Sequence, residues 1–219
     1  MITGLFPTLF PFPSSLQIIY FFAHNSGILQ RRSSPFPQRT HPTMTSITLF
    51  PEYHLTGFSQ QAAITQSEAA EMATENDGQV VIAGYVEKMG NDFYSSAIVL
   101  DEDGSIHNVR KSEPWGNSEK IWMSGSGHAP FVLDLSIGPT LVLICADIFE
   151  SRYGSKNKAQ QLWGHERIDW VLVPSHWQNS FEDMLIRRGV LRLVRALGNP
   201  KWVVSDTYHG RVNSSEWDG

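Results

Sequence analysis

"LVLICADIFE", residues 141–150, holds the only cysteine of the chain. Four apolar residues lead into Cys145, and an acid, Asp147, follows it closely. An uninterrupted apolar run of this length reads as a strand covered on both faces, with Cys145 at its end. Free cysteine is among the most buried residue types, so on its own Cys145 reads as a core thiol. The competing reading is a nucleophile held at a strand end. The rest of the chain has to decide between them.

Two further runs share this character, "WVLVP" at 170–174 and "WVVS" at 202–205. "KNKAQQLWGHE" at 156–166 reads as a helix between the first and second runs. Residues 179–197 form the strongest helical pattern. Ser180 and Asp183 make a capping box, and Leu191, Val194 and Leu197 form an apolar stripe opposite Arg187, Arg188, Arg192 and Arg195. Upstream, "ITLF" at 47–50 is a short strand stopped by Pro51, and helix formers fill 59–76. "VVIAGYV" at 80–86 is β-branched. "FYSSAIVL" and "SIHNVR" flank "DEDG" at 101–104, a hairpin signal. Strands alternating with helices predict an α/β layered fold.

The chain has 219 residues, 41% hydrophobic and 18% charged, enough for one domain with a sizeable core. A net charge of -5 gives no support for a nucleic-acid partner, which needs a basic face. One cysteine excludes an intrachain disulfide and fits a reducing, cytoplasmic setting. Residues 1–44 differ from the rest. They are broken by Pro7, Pro11 and Pro13, carry no Lys or Arg before Arg31, and run into "RRSSPFPQRTHPT". The expectation is an irregular segment with no basic leader and no membrane span, followed by the folded domain at 45–219.

Chemistry-bearing residues recur just past strand ends, where α/β sheets bind ligands. "FPEYHLTGF" places Glu52 after the first strand, and "VRKSEPWGNSE" places Lys111 after the hairpin, with Glu119 beyond it. "VPSHW" places His176 and Trp177 after the second apolar run. Each has a plain reading in isolation. Glu52, Lys111 and Glu119 read as solvated loop residues, Trp177 as core, and Asp147 as the cap of a helix following Cys145. No HExxH or close ligand pair suggests a metal, and no GxSxG suggests a serine hydrolase. "GSGH" at 125–128 lacks a phosphate-loop context and reads as a turn.

Taken together, "FPEYHLTGF", "RKSEPWGNSE" and "ICADIFE" resemble, in order, the Glu, Lys and Cys motifs of the nitrilase or carbon–nitrogen hydrolase superfamily. "PSHW" and "RLVRALGN…VVSDTYHG" are similar to its later blocks. The resemblance implies an αββα sandwich that often dimerises, and a thiol hydrolase of non-peptide C–N bonds. Its substrate would be a small amide or nitrile, with no cofactor. It also implies roles. Cys145 is the nucleophile, Glu52 the base, and Lys111 with the Ala146 N–H the oxyanion donors. Glu119 orients the substrate or the lysine, and His176 and Trp177 flank the substrate. Against the superfamily pattern, both ends of this chain are expected to be missing or replaced. A catalytically inactive binding homologue and an acyltransferase therefore stay open as alternatives.

Overall fold

A computed structural model describes residues 18–22, 44–127, 131–148, 167–176, 180–205 and 212–214. The helix expected at 156–166 and most of 1–44 lie outside them. Within 1–44 the structure places one strand, β1 (Ile18–Phe22), antiparallel to β2 (Met44–Leu49).

Two five-stranded sheets carry the fold. The first runs β1-β2-β3-β4-β5, with β3 at Val80–Met89, β4 at Asp92–Asp101 and β5 at Ile106–Arg110. The second, in spatial order, contains β10 (Val212–Ser214), β9 (Lys201–Ser205), β8 (Trp170–Pro174), β7 (Gly138–Val142) and β6 (Val132–Leu135). β7, β8 and β9 are parallel. Parallel strands are covered on both faces, which is why 141–144 and 170–174 are apolar at every position rather than at alternate ones.

Ile47, Leu49, Val80, Ile82, Ala97, Val99 and Val109 of the first sheet share one core with Leu141, Val171 and Leu172 of the second. That core continues to Val190, Leu193, Val194 and Leu197 of α3 (Ser180–Ala196) and its C-terminal turn. Arg188, Arg192 and Arg195 are exposed on the helix's other side, as the stripe predicts. The side chains of Arg187, Ser180 and Asp183 fall outside the described residues. A second core packs α1 (Gln66–Ala73) on the other face of the first sheet, through Ala69, Ala70 and Ala73 against Val81, Ala83 and Ile98. The layers are therefore α1, sheet, sheet, α3. Asp101 at the end of β4 accepts from both the N–H and the hydroxyl of Ser136 in the β6–β7 turn, tying the two sheets together at one edge.

Two boundaries differ from expectation. Helix α1 starts at Gln66, not near 59. Ile64 instead bridges to β3, its N–H donating to Val86 O and its carbonyl accepting from Lys88 N–H. Thr65 and Glu68 then form a reciprocal capping box. Strand β7 ends at Val142, and Cys145 opens a short 3-10 turn, Cys145–Ile148. Among the described residues no helix is long and apolar enough to cross a membrane.

The α1-side face of the first sheet also buries a charge. Glu87 accepts two bonds from Arg110, at 2.7 and 2.6 Å, one from Ser96 at 2.7 Å and one from Asn108 at 3.0 Å. Burial alone would raise the Glu87 carboxyl; the donors of Arg110, Ser96 and Asn108 outweigh it and hold it below its ordinary value. A depressed folded pKa means that Glu87 contributes stability above its unfolded value, about 4.3, and loses it as pH falls through the folded value. Arg110→Met should cost about 2 kcal/mol at pH 7, below the range for a fully buried pair because the guanidinium side chain is 29% exposed. The gap from wild type in urea midpoint should narrow as pH falls below about 4. A gap that stays constant down to pH 2.5 would show that Glu87 is not its source.

Candidate active site

Glu52, Lys111, Cys145 and His176 all follow strands that run in the same direction within their sheet, so their loops meet at one rim. Glu52 follows β2, which is parallel to β3, and Lys111 follows β5, which has the direction of β3 through two antiparallel pairings. Cys145 and His176 follow the parallel strands β7 and β8.

Lys111 is the hub. Its side chain is 2% exposed, and Nζ lies 3.0 Å from Glu52 Oε1, 2.8 Å from Glu119 Oε1 and 3.0 Å from Glu119 Oε2. A buried ammonium needs such partners, since an unpaired charge in the interior is costly. Burial works against its charge. The Glu52 and Glu119 carboxylates outweigh that and hold the ammonium above its ordinary value.

The two carboxylates are not equivalent. Glu119 is saturated: besides Lys111 it accepts from the Tyr53 hydroxyl at 3.0 Å and from the Trp115 N–H at 2.6 Å. Glu52 accepts on one oxygen only, from Lys111 and from the Ser95 hydroxyl at 2.6 Å. Its Oε2 is buried with no hydrogen-bond partner among the described residues. A buried carboxylate oxygen left open is uncommon and calls for an explanation. Glu119 thus contacts the lysine with both of its oxygens.

Cys145 is 5% exposed, with φ of 49°, a conformation rare for a residue with a Cβ. Its sulfur lies 3.9 Å from the His176 carbonyl. Burial and the Glu52 charge push the thiol well above its ordinary value, and Lys111 pulls the other way. The sulfur is therefore a thiol at rest, held within the field of Glu52, Lys111 and Glu119. Ala146 is buried in the turn that follows. Asp147 lies inside the turn, and its carboxylate accepts from the Ser112 N–H at 3.2 Å, joining the Cys turn to the Lys loop; the helix it was expected to cap lies outside the described residues. The His176 ring packs edge-on against Tyr53, 5.7 Å between centroids. Trp177 lies outside the described residues.

Two glycines that carry no chemistry let these loops close. A Cβ on Gly84 of β3 would sit 2.5 Å from Glu52 Cα, 2.6 Å from Pro51 O and 2.8 Å from Tyr53 N, all backbone atoms. A Cβ on Gly125 would sit 2.5 Å from Ser112 O, while Ser126 N–H donates to Lys111 O at 3.1 Å. The "GSG" stretch is thus a clamp on the lysine loop rather than a plain turn. Gly84→Ala should force the Glu52 loop away from β3, costing about 1–3 kcal/mol in stability and about 100-fold in any turnover that uses Glu52. Thermal melts and steady-state rates would check this. Wild-type values for both would mean that the loop yields at no cost.

Residues 37–158, more than half of the chain, match the carbon-nitrogen hydrolase family, and the chain belongs to it. Among solved structures, the NitN amidase of Nesterenkonia sp. AN1 superposes with a TM-score of 0.54 at 19% identity, over 73% of this chain and 64% of that one. A glutamate-to-glutamine variant of that amidase, with acrylamide added at its active-site cysteine, gives 0.54 at 18% identity over 73% and 64%. A cysteine-to-alanine variant bound to butyramide gives 0.53 at 18% over 73% and 62%. At this identity the likeness establishes the fold, the αββα sandwich expected. The chain spans less than two thirds of the length of these amidases. No curated protein matches its sequence at a significant level.

Proposed function

We propose that this chain hydrolyses the C–N bond of small amides through a thioester on Cys145. The observation that carries the reading is the asymmetry of Glu52: one oxygen is tied to Lys111 and Ser95, the other is buried and open among the described residues, and the Glu52 charge acts on the Cys145 thiol. Glu52 takes the thiol proton as the sulfur attacks the amide carbon, so a C–S bond forms and the carbonyl oxygen takes the negative charge. Lys111 and the Ala146 N–H face that oxygen. Collapse breaks the C–N bond, and the proton on Glu52 leaves with the nitrogen as ammonia. Water then attacks the thioester and gives its proton to Glu52. The carboxylic acid departs, and the proton returns to the sulfur. The net change is amide plus water to acid plus ammonia.

The superfamily's use of nitriles, its acyl transfer to amines, homodimer formation and a cytoplasmic setting are secondary expectations for the same chain. The test is ammonia release from a panel of aliphatic and aromatic amides, with mass spectrometry of Cys145 after quenching. Glu52→Gln should lose at least 100-fold in acylation, because among the described residues no other carboxylate has an open buried oxygen to take the proton. An intact, folded chain that releases no ammonia and forms no acyl adduct would instead be an inactive homologue.

A further inference from the structure

We infer that Tyr53 is a positioning residue for the reaction proposed above, its hydroxyl holding Glu119 and, through Glu119, the Lys111 ammonium. The inference rests on that reaction for its role and on the geometry for its mechanism. The Tyr53 hydroxyl donates to Glu119 Oε1 at 3.0 Å, the same oxygen that accepts from Lys111 at 2.8 Å. Glu119 sits on a helix of only five residues, α2 (Gly116–Lys120), in which the side chain of the N-cap residue Trp115 does not cap the helix. So short a helix has little stability of its own, so its carboxylate is placed by the bonds it makes. Tyr53 supplies one of these from a separate segment, the loop after β2 that also carries Glu52.

The backbone of Tyr53 supports the same conclusion. Its φ is 64°, rare for a bulky aromatic, and its side chain is buried at 4% exposure. Such a conformation persists only where the surroundings determine it. Here the Gly57 N–H donates to the Tyr53 carbonyl at 2.7 Å, and the ring packs against Phe58 and His176. A phenylalanine would satisfy the ring contacts equally well. What tyrosine adds is a hydroxyl between a strained backbone and the lysine's counter-ion. Burial, then the charges of Glu52 and Glu119, hold this phenol well above its ordinary value, so it stays a donor across the working pH range.

The test is Tyr53→Phe in the full chain, read in two ways. The first is kcat and KM for whichever amide the wild type hydrolyses. The second needs no turnover: the rate of Cys145 alkylation by iodoacetamide as a function of pH, carried up to the pH at which the rate levels off. The groups acting on the sulfur are Glu52 and Tyr53 from the loop after β2, Lys111 after β5, Glu119 from α2 and the His176 carbonyl after β8. Of these, Lys111 favours the thiolate. Loosening it should move the alkylation midpoint to higher pH and lower kcat by about 10- to 100-fold, the range for one hydrogen bond to a charged group, with KM within about two-fold. Tyr85→Phe removes a comparable hydroxyl, one that donates to Asn108 in the Glu87 network, and should change thermal stability but neither readout. A Tyr53→Phe protein with wild-type kcat and an unchanged alkylation midpoint overturns the inference. Should the wild type alkylate normally but hydrolyse no amide, the hydrolase reading falls, and the alkylation midpoint alone decides whether Tyr53 positions Lys111.

Discussion

Cys145→Ala should release no ammonia above background from any amide that the wild type hydrolyses, and should carry no acyl mass at position 145. The nucleophile is the atom to which carbon becomes attached, and the chain has no other cysteine to replace it. The effect should be confined to chemistry. Cys145 is a small buried residue, and alanine fills most of its volume at a cost of about 1 kcal/mol. The positive φ of 49° is no harder for alanine than for cysteine. Cys145→Ser tests the base. An alcohol is far less acidic than a thiol, and the open oxygen of Glu52 is a weak base for it, so serine should not restore turnover. Full activity in Cys145→Ala would place the nucleophile elsewhere and remove the centre of the proposed mechanism.

The parts of this site differ in how legible they were. Glu52, Lys111 and Cys145 stand in the sequence as single residues just past apolar runs, and their order along the chain carries the resemblance. The layered fold is legible for the same reason, because strands buried on both faces must be apolar throughout. Boundaries that depend on a partner were not. The residues at 59–64 have helical propensity, but Ile64 is taken by β3, and the Thr65–Glu68 box that marks the true start is a local signal that could have been read. The bond from Ser112 to Asp147, 35 residues away, leaves no mark in the sequence. Gly84 and Gly125 matter through backbone approach, which leaves no pattern in the one-letter code. Tyr53 lies next to the predicted base in plain sight, yet only the fold brings Glu119, 66 residues on, to its hydroxyl.

Lys111→Met should damage both folding and turnover, more than any substitution that removes one of its partners. The lysine is the cation between two buried carboxylates, Glu52 at 1% and Glu119 at 7% exposure. Methionine keeps the aliphatic length but leaves both acids without a counter-ion. Breaking a buried pair from one side costs about 3–5 kcal/mol, which for a chain of this size lowers the melting temperature by about 10 °C. Because the folded lysine is held above its ordinary value, its contribution is fully present below the unfolded value of about 10.4 and is lost only as pH rises through the folded one. The gap in urea midpoint between wild type and Lys111→Met should therefore stay flat from pH 7 to 9. Turnover in the remaining folded protein should fall by about 10²–10³, the worth of one oxyanion donor. Lys111→Arg should not restore it, since a planar guanidinium is larger and directs its donors differently from an ammonium already in contact with three carboxylate oxygens. Two results together would overturn this account: a midpoint within 1 kcal/mol of wild type and a rate within ten-fold. They would mean that Glu52 and Glu119 coexist in the interior without the lysine, and that the negative charge in the transition state is met by some other group.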